Sequence, residues 1–235
     1  MRGMRIPTRP LLLAFVSIAA ACGEAPSAGK QLPELARAIL GERGLDGWRR
    51  LEKLEFTWKH VPSGRVRSYA WSPGERTVTV TMAVSEDRKA TATIPSDELP
   101  PDASDLDRTM HEAFVNDVYW FAIEFMMLQD GSTLRDLGER PLPGGFADLP
   151  ATARALEVNY PPDEGYTGGD RYVLYVKDAE AIAWAFHRGG AKEPTLITTR
   201  EQRVDFDGVS LPTRFKTPDG KTFIEITNPK ASFRN

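Results

Sequence analysis

The spacing of apolar and polar positions changes several times along the chain, and each change predicts an element. From Leu32 the apolar residues Leu32, Leu35, Ile39 and Leu40 follow helical spacing, with Pro33 early and Gly41 and Gly44 near the end. Asp46-Gly47-Trp48 restarts the chain, and a short turn carries Trp48 and Leu51 inward. A period of two then takes over. Leu54, Phe56, Trp58 and His60 share one face of a strand, and Pro62-Ser63-Gly64 turns. Tyr69 and Trp71 share the next face before Ser72-Pro73-Gly74-Glu75 turns again. Val78, Val80, Met82 and Val84 alternate with Thr77, Thr79, Thr81 and Ala83, the clearest alternation in the chain. A polar turn over 85–88 leads to Ala90, Ala92 and Ile94. Four strands joined by tight turns read as an antiparallel meander.

Residues 95–104, rich in proline and acid, act as a connector. Residues 105–128 predict a helix, with Met110, Phe114, Val118 and Phe121 on one stripe and Trp120, Phe125, Met126 and Met127 thickening it. Glu112, Asp117 and Glu124 mark its polar side, and a break is expected near Asn116-Asp117. Residues 140–150 hold too much proline and glycine for an element interior and read as a loop. Leu142 and Phe146 could give that loop an apolar tip, although a plain surface loop is the commoner case. Alternation returns at Leu156, Val158 and Tyr160, at Tyr172, Leu174 and Val176, and at Ile182, Trp184 and Phe186. Asp207-Gly208 and Asp219-Gly220 signal hairpins, and Ile224 and Ile226 close the series. The expected order is helix, four strands, helix, about six strands: a mainly β, α+β fold. One large antiparallel sheet must bury a face, and the apolar helix is the candidate to cover it.

Ahead of this domain lies a different pattern. Arg2, Arg5 and Arg9 precede an uncharged run over 11–21, which is shorter than the ~20 residues a helix needs to span a bilayer. The run ends in Ala19-Ala20-Ala21-Cys22. Small residues before a cysteine resemble the lipobox of bacterial lipoproteins, although Ala19 stands where leucine is commonest. That resemblance implies a signal peptide over 1–21 and lipidation of Cys22. An ordinary secretory cut after Ala21 would instead leave the single cysteine as an exported free thiol, a liability. Residues 22–31, small and polar after Cys22, read as a flexible tether, and 32–235 as one domain. Gly23 takes the place of the aspartate that favours inner-membrane retention in enteric bacteria. The lipobox therefore implies the periplasmic face of the outer membrane. Without 1–21 the chain carries 27 basic and 33 acidic residues, net −6, so the acyl chains must do the anchoring.

The domain order resembles the lipoprotein-carrier superfamily, the Lol-type fold. The stretches that carry the resemblance are Gly47-Trp48 running into the strand over 54–59, and 114–128 with Asn116-Asp117 ahead of Tyr119-Trp120-Phe121. Two more are Gly168-Gly169-Asp170-Arg171-Tyr172-Val173-Leu174-Tyr175, and the strand–turn–strand over 206–215 with Gly208-Val209-Ser210-Leu211-Pro212. The resemblance covers about residues 31–235 and implies a large antiparallel open half-barrel with a helical lid. It also implies a concave apolar face able to shelter acyl chains. Candidates for that face are Phe56, Trp58, Tyr69, Trp71, Val78, Val80, Met82, Trp120, Phe125, Met126, Trp184 and Phe186. Methionine adapts to flexible chains, and tryptophan and tyrosine add wide apolar surface with one polar handle. The same residues would equally fill a solid core, and the sequence leaves both open.

Composition narrows the chemistry. With 235 residues, 41% hydrophobic, 27% charged and a net charge of −3, the chain is neither disordered nor basic enough for a dedicated nucleic-acid binder. One cysteine excludes a disulfide scaffold, and His60, His111 and His187 lack metal-ligand spacing. Asp163-Glu164 and Asp170 read as an acidic loop, and Gly165-Tyr166-Thr167-Gly168-Gly169 lacks the strand-to-helix context of a phosphate loop. No catalytic motif is present, so neither an enzyme nor a cofactor is expected. The expected function is a monomeric, lipid-anchored envelope protein that binds a lipid, acyl chain or lipoprotein. The alternative is a non-enzymatic sensor or scaffold that binds a partner protein.

Overall fold

The computed structural model describes residues 32–235 except 129–130 and 163–167. The leader, Cys22 and the tether lie outside the described residues, as do Asp163-Glu164 and Gly165-Tyr166-Thr167. Helices α1 (Glu34–Arg43) and α2 (Leu45–Arg49) lead into the strands β1 (Leu51–His60), β2 (Arg65–Ser72), β3 (Thr77–Ala83) and β4 (Lys89–Pro95). The long helix α3 (Asp105–Met126) follows. Eight more strands complete the chain: β5 (Thr133–Pro141), β6 (Thr152–Asn159), β7 (Arg171–Lys177), β8 (Glu180–His187), β9 (Leu196–Thr199), β10 (Glu201–Phe206), β11 (Val209–Lys216) and β12 (Thr222–Phe233).

The strands form two open antiparallel sheets with α3 packed against both. The larger runs β10-β11-β12-β1-β2-β3-β4 and the smaller β5-β6-β7-β8-β9. The mainly β, open architecture with one covering helix is the one expected, but the single large sheet is two. Residues 133–141, where no strand was expected, supply an edge of the second sheet. The last strand returns to pair with the first, Leu51 opposite Phe233 and Trp58 opposite Ile226.

Alternation in the first meander has its expected cause. Leu54, Phe56 and Trp58 face the helix and pair across the strands with Trp71, Tyr69 and Arg67. The threonines face outward, where Thr79 bonds Thr93 and Thr81 bonds Thr91. By contrast β7 is buried from Tyr172 through Val176. One face meets α3, and the other is covered by the loop over 142–150, whose Leu142 packs with Ala155, Val173 and Tyr175. Leu142 and Phe146 therefore serve a second small core rather than an apolar tip. At the end of α1, Gly44 adopts φ +89°, and a Cβ there would lie 2.0 Å from the Gly208 carbonyl oxygen. Only glycine allows α1 to close against the β10–β11 turn.

The polar side expected for the apolar helix is half absent. Ser104 caps α3 by accepting the Asp107 N–H, and Glu112 is exposed. Asp117 and Glu124, however, are fully buried. Arginines from the facing strands make this possible. Arg67 holds Asp117 at 2.9 Å, and Arg200 holds Glu124 at 2.5 Å with Arg203 at 3.3 Å. Arg200 also donates to the Trp120 carbonyl at 3.1 Å. The helix breaks beside that contact, at Ala122 with φ −133° and ψ 28°, rather than at Asn116-Asp117.

Arg200 stands where the chain passes from β9 to β10 and so from one sheet to the other. Its N–H bonds the Ile182 carbonyl of β8, while Thr199 accepts from the Lys216 N–H of β11. Burial opposes the Glu124 charge, but Arg200 and Arg203 outweigh it and hold the carboxyl below its usual value. Burial lowers the Arg200 guanidinium to about 10, which leaves it charged at neutral pH. Glu124→Gln would strand that charge in the core and is expected to cost ~3–5 kcal/mol in urea denaturation. A loss below ~1 kcal/mol would show that the corner does not depend on the pair.

Candidate functional site

One end of the space between the sheets is unfilled. There α3 contributes Asn116, Tyr119 and Trp120, three positions at i, i+3 and i+4 that share a helix face. The larger sheet adds Trp58 and His60 from β1, and Phe223 and Ile224 from β12. The smaller adds Tyr172 from β7, Trp184 and Phe186 from β8, and Leu196 with Thr195 at β9. Arg65 and Arg188 stand at the edge. The result is an open cleft of about 650 Å³.

Its wall is aromatic and fixed. Trp120 meets Trp184 edge-on at 4.8 Å between ring centroids, and Tyr172 stacks on Trp184 at 5.2 Å. The Trp184 indole N–H donates to Thr198 Oγ1 at 2.7 Å. Arg67 lies 4.8 Å over the Trp58 ring, a cation–π contact. The Trp58 indole nitrogen is buried with no hydrogen-bond partner. His60 Nδ1 bonds Ser63 Oγ at 2.7 Å, and burial together with Arg65 and Arg67 holds its pKa below the usual value. At neutral pH His60 is therefore an uncharged polar wall.

Of the candidate cavity residues, the structure brings Trp58, Trp120, Trp184 and Phe186 to the cleft, where the three indoles show only an edge and otherwise belong to the same core. Phe56, Tyr69, Trp71, Val78, Val80, Phe125 and Met126 are buried in the core under α3, and Met82 packs against it half-buried. There the interior is solid: Phe121 meets Phe56 at 5.1 Å, and Phe125 stacks on Trp48 at 4.4 Å. Bulk explains the division. Rings from β1, β2, α2 and α3 interlock beside the meander, whereas space remains beside Phe186 and Phe223. Tyr119, Tyr172, Leu196 and Phe223 complete the cleft without having been singled out as cavity residues. The alternation of Tyr172 was legible, as was its place in the strand before Phe186. Their cross-strand pairing needed the register of β7 on β8.

Below the cleft lies a closed polar group. Asp117 accepts two bonds from Arg67, one from the Tyr69 hydroxyl at 2.7 Å and one from Asn116 at 2.8 Å. These groups occupy one another and present no free carboxylate to the cleft. Burial, only partly offset by Arg67, Tyr69 and Asn116, raises the Asp117 carboxyl to about 6. Among the described residues no cluster of acids and histidines is arranged to hold a metal, and no helix is long and apolar enough to cross a membrane.

Comparison with known proteins adds little beyond this geometry. No family model and no curated protein matches the chain. Among solved structures, the chain is similar to a "putative outer membrane lipoprotein-sorting protein domain" from Vibrio parahaemolyticus. The TM-score is 0.42 and the identity 11%, over 85% of this chain and 91% of that one. The site is accordingly read from its own residues.

The Asp117 shift has a sign that can be measured. A carboxyl raised from 3.8 to about 6 binds more protons folded than unfolded within that interval. Its ionisation therefore costs stability as pH rises through the interval, and the cost is complete above it. The stability of the wild type relative to Asp117→Asn is expected to fall by roughly 3 kcal/mol between about pH 3.5 and pH 7. Urea denaturation across that range measures the difference, and a flat or rising one would reject the assignment.

Proposed function

We propose that this is a lipid-anchored protein of the bacterial envelope that binds a hydrophobic ligand, a lipid, acyl chain or lipoprotein, between its two sheets. It acts by binding rather than by catalysis. The observation that carries the reading is the cleft itself. Its volume of about 650 Å³ falls within the ~300–1,000 Å³ of small-molecule sites. Its lining is aromatic and aliphatic, with polar groups confined to a few positions. Burying a chain there repays ~0.8 kcal/mol per CH₂. The buried acid beneath is fully engaged with Arg67, Tyr69 and Asn116, which supports a binding role over acid–base chemistry. The anchor rests on the sequence: a basic start, a short apolar run and small residues directly before Cys22.

Native mass spectrometry of the purified protein is expected to show a bound lipid mass that denaturation releases. Leu196→Asp places a carboxylate on the half-buried cleft wall and should weaken fatty-acid binding by about tenfold or more. A ligand-free mass, unshifted by added fatty acid or phospholipid, would overturn the reading.

The anchor is tested separately by growing the producing bacterium with an alkyne-bearing palmitate. Label is expected on the wild-type chain and not on Cys22→Ser, which should leave the membrane fraction. Unlabelled wild-type protein would reject lipidation.

A further inference from the structure

The cleft is lined mainly by apolar side chains and carries two arginines at its mouth. Arg65 is the first residue of β2, in the larger sheet, and Arg188 directly follows β8 in the smaller. Both are exposed and both line the cleft. Elsewhere arginines are largely paired: Arg67, Arg76, Arg135, Arg154, Arg171, Arg200 and Arg203 each face a carboxylate. Among the described residues, neither the Arg65 nor the Arg188 guanidinium has an ion pair or side-chain hydrogen bond. Asp170, in the depression beyond Arg188, feels the Arg188 charge but makes no ion pair with it, and its Oδ1 is bonded to the Gly189 N–H at 2.7 Å.

Two like charges from opposite sheets line one cleft mouth, and an anion placed there is attracted to both. The guanidinium fork matches the oxygens of a carboxylate or phosphate and gives paired, charge-assisted hydrogen bonds. An acyl chain laid on the aromatic floor would leave its headgroup at this edge. The position is specific, because the chain as a whole is acidic. We infer that the ligand is an acyl amphiphile with an anionic headgroup, a carboxylate or a phosphate, held between Arg65 and Arg188. This rests on the cleft as a hydrophobic binding site and adds the polar end of its ligand.

The test compares three single-chain probes of equal length below their micelle concentrations: palmitate, palmitoyl lysophosphatidate and the neutral monopalmitin. Quenching of the protein's own tryptophan fluorescence reads binding to the full chain. Trp58, Trp120 and Trp184 all lie in the cleft. At least one anion is expected to bind about tenfold or more tighter than monopalmitin. The stronger of the two identifies the headgroup. In the double variant R65Q/R188Q, which changes only exposed side chains, the ratio of anion to monopalmitin affinity should fall to about onefold. Equal binding of all three by the wild type would overturn the headgroup assignment and leave the hydrophobic cleft standing. An anion advantage that survives in the double variant would do the same. Binding of none would overturn both.

Discussion

A carboxylate and a guanidinium that share no contact with water, Glu124 and Arg200, hold the two sheets to one helix. Taking both ions out of water carries a desolvation cost of several kcal/mol each, which only close pairing and further hydrogen bonds repay. The corner supplies both. Arg200 spends one nitrogen on Glu124 and another on the Trp120 carbonyl, and Arg203 adds a second cation to the same acid. Arg203 in turn is held by Ser210, which Arg43 of α1 also reaches. The N-terminal helix, the central helix and the strands at the crossing thus meet in one polar group. An apolar core could bury as much surface at that point, but it would not specify which strand turns the corner.

A second pairing completes the placement of α3. Asp117 and Glu124 are seven residues apart, one on either side of the break at Ala122, and both are fully buried. Their partners do not lie together: Arg67 is on β2, whereas Arg200 and Arg203 flank or belong to β10, at the far edge of the larger sheet. The helix must therefore run across the strands rather than along them. Ring contacts follow the same diagonal, from Phe114 against Trp71 on β2 to Trp120 against Phe215 on β11. Sliding α3 by one turn would leave two buried acids without their arginines. Apolar contacts alone would resist such a slide far less, because from Ala113 to Met126 the helix is buried on nearly every side and presents no single apolar stripe.

These two acids also mark where sequence reading stops. Alternation in Val78, Val80 and Met82 made the first meander legible, because half-buried strands impose a period of two whatever lies above them. Helical spacing exposed α3 for a similar reason. The charge on Asp117 and Glu124 then pointed the wrong way, since an acid in a helix is ordinarily a solvated position. What reverses it is an arginine 50 residues before one and 76 residues after the other, a distance no local pattern spans. The split of the sheet was hidden likewise, because no local pattern marks Arg200 as the point where the chain changes sheets. Among the cavity candidates, inward-facing positions could be named, but whether a ring meets another ring or empty space depends on how two sheets pack about one helix.

The same arginine ties the corner to the cleft. Arg200 fixes the backbone of Trp120 through its carbonyl and lies 5.6 Å from the Trp184 ring centroid. Trp184 is tethered again through Thr198, two residues before Arg200, and Arg67 caps Trp58 from the Asp117 side. Each tryptophan of the cleft is thus restrained, through its ring or its backbone, by a polar contact outside the cleft. Aromatic walls without such restraints gain by collapsing onto each other, which would fill the space with the protein's own rings. Restrained in this arrangement, in which Trp120 and Trp184 already touch, the rings cannot swing into the cleft, and the ligand proposed above meets a preformed wall. The buried ions, costly as stability elements, fit better as the framework that keeps this end of the molecule open.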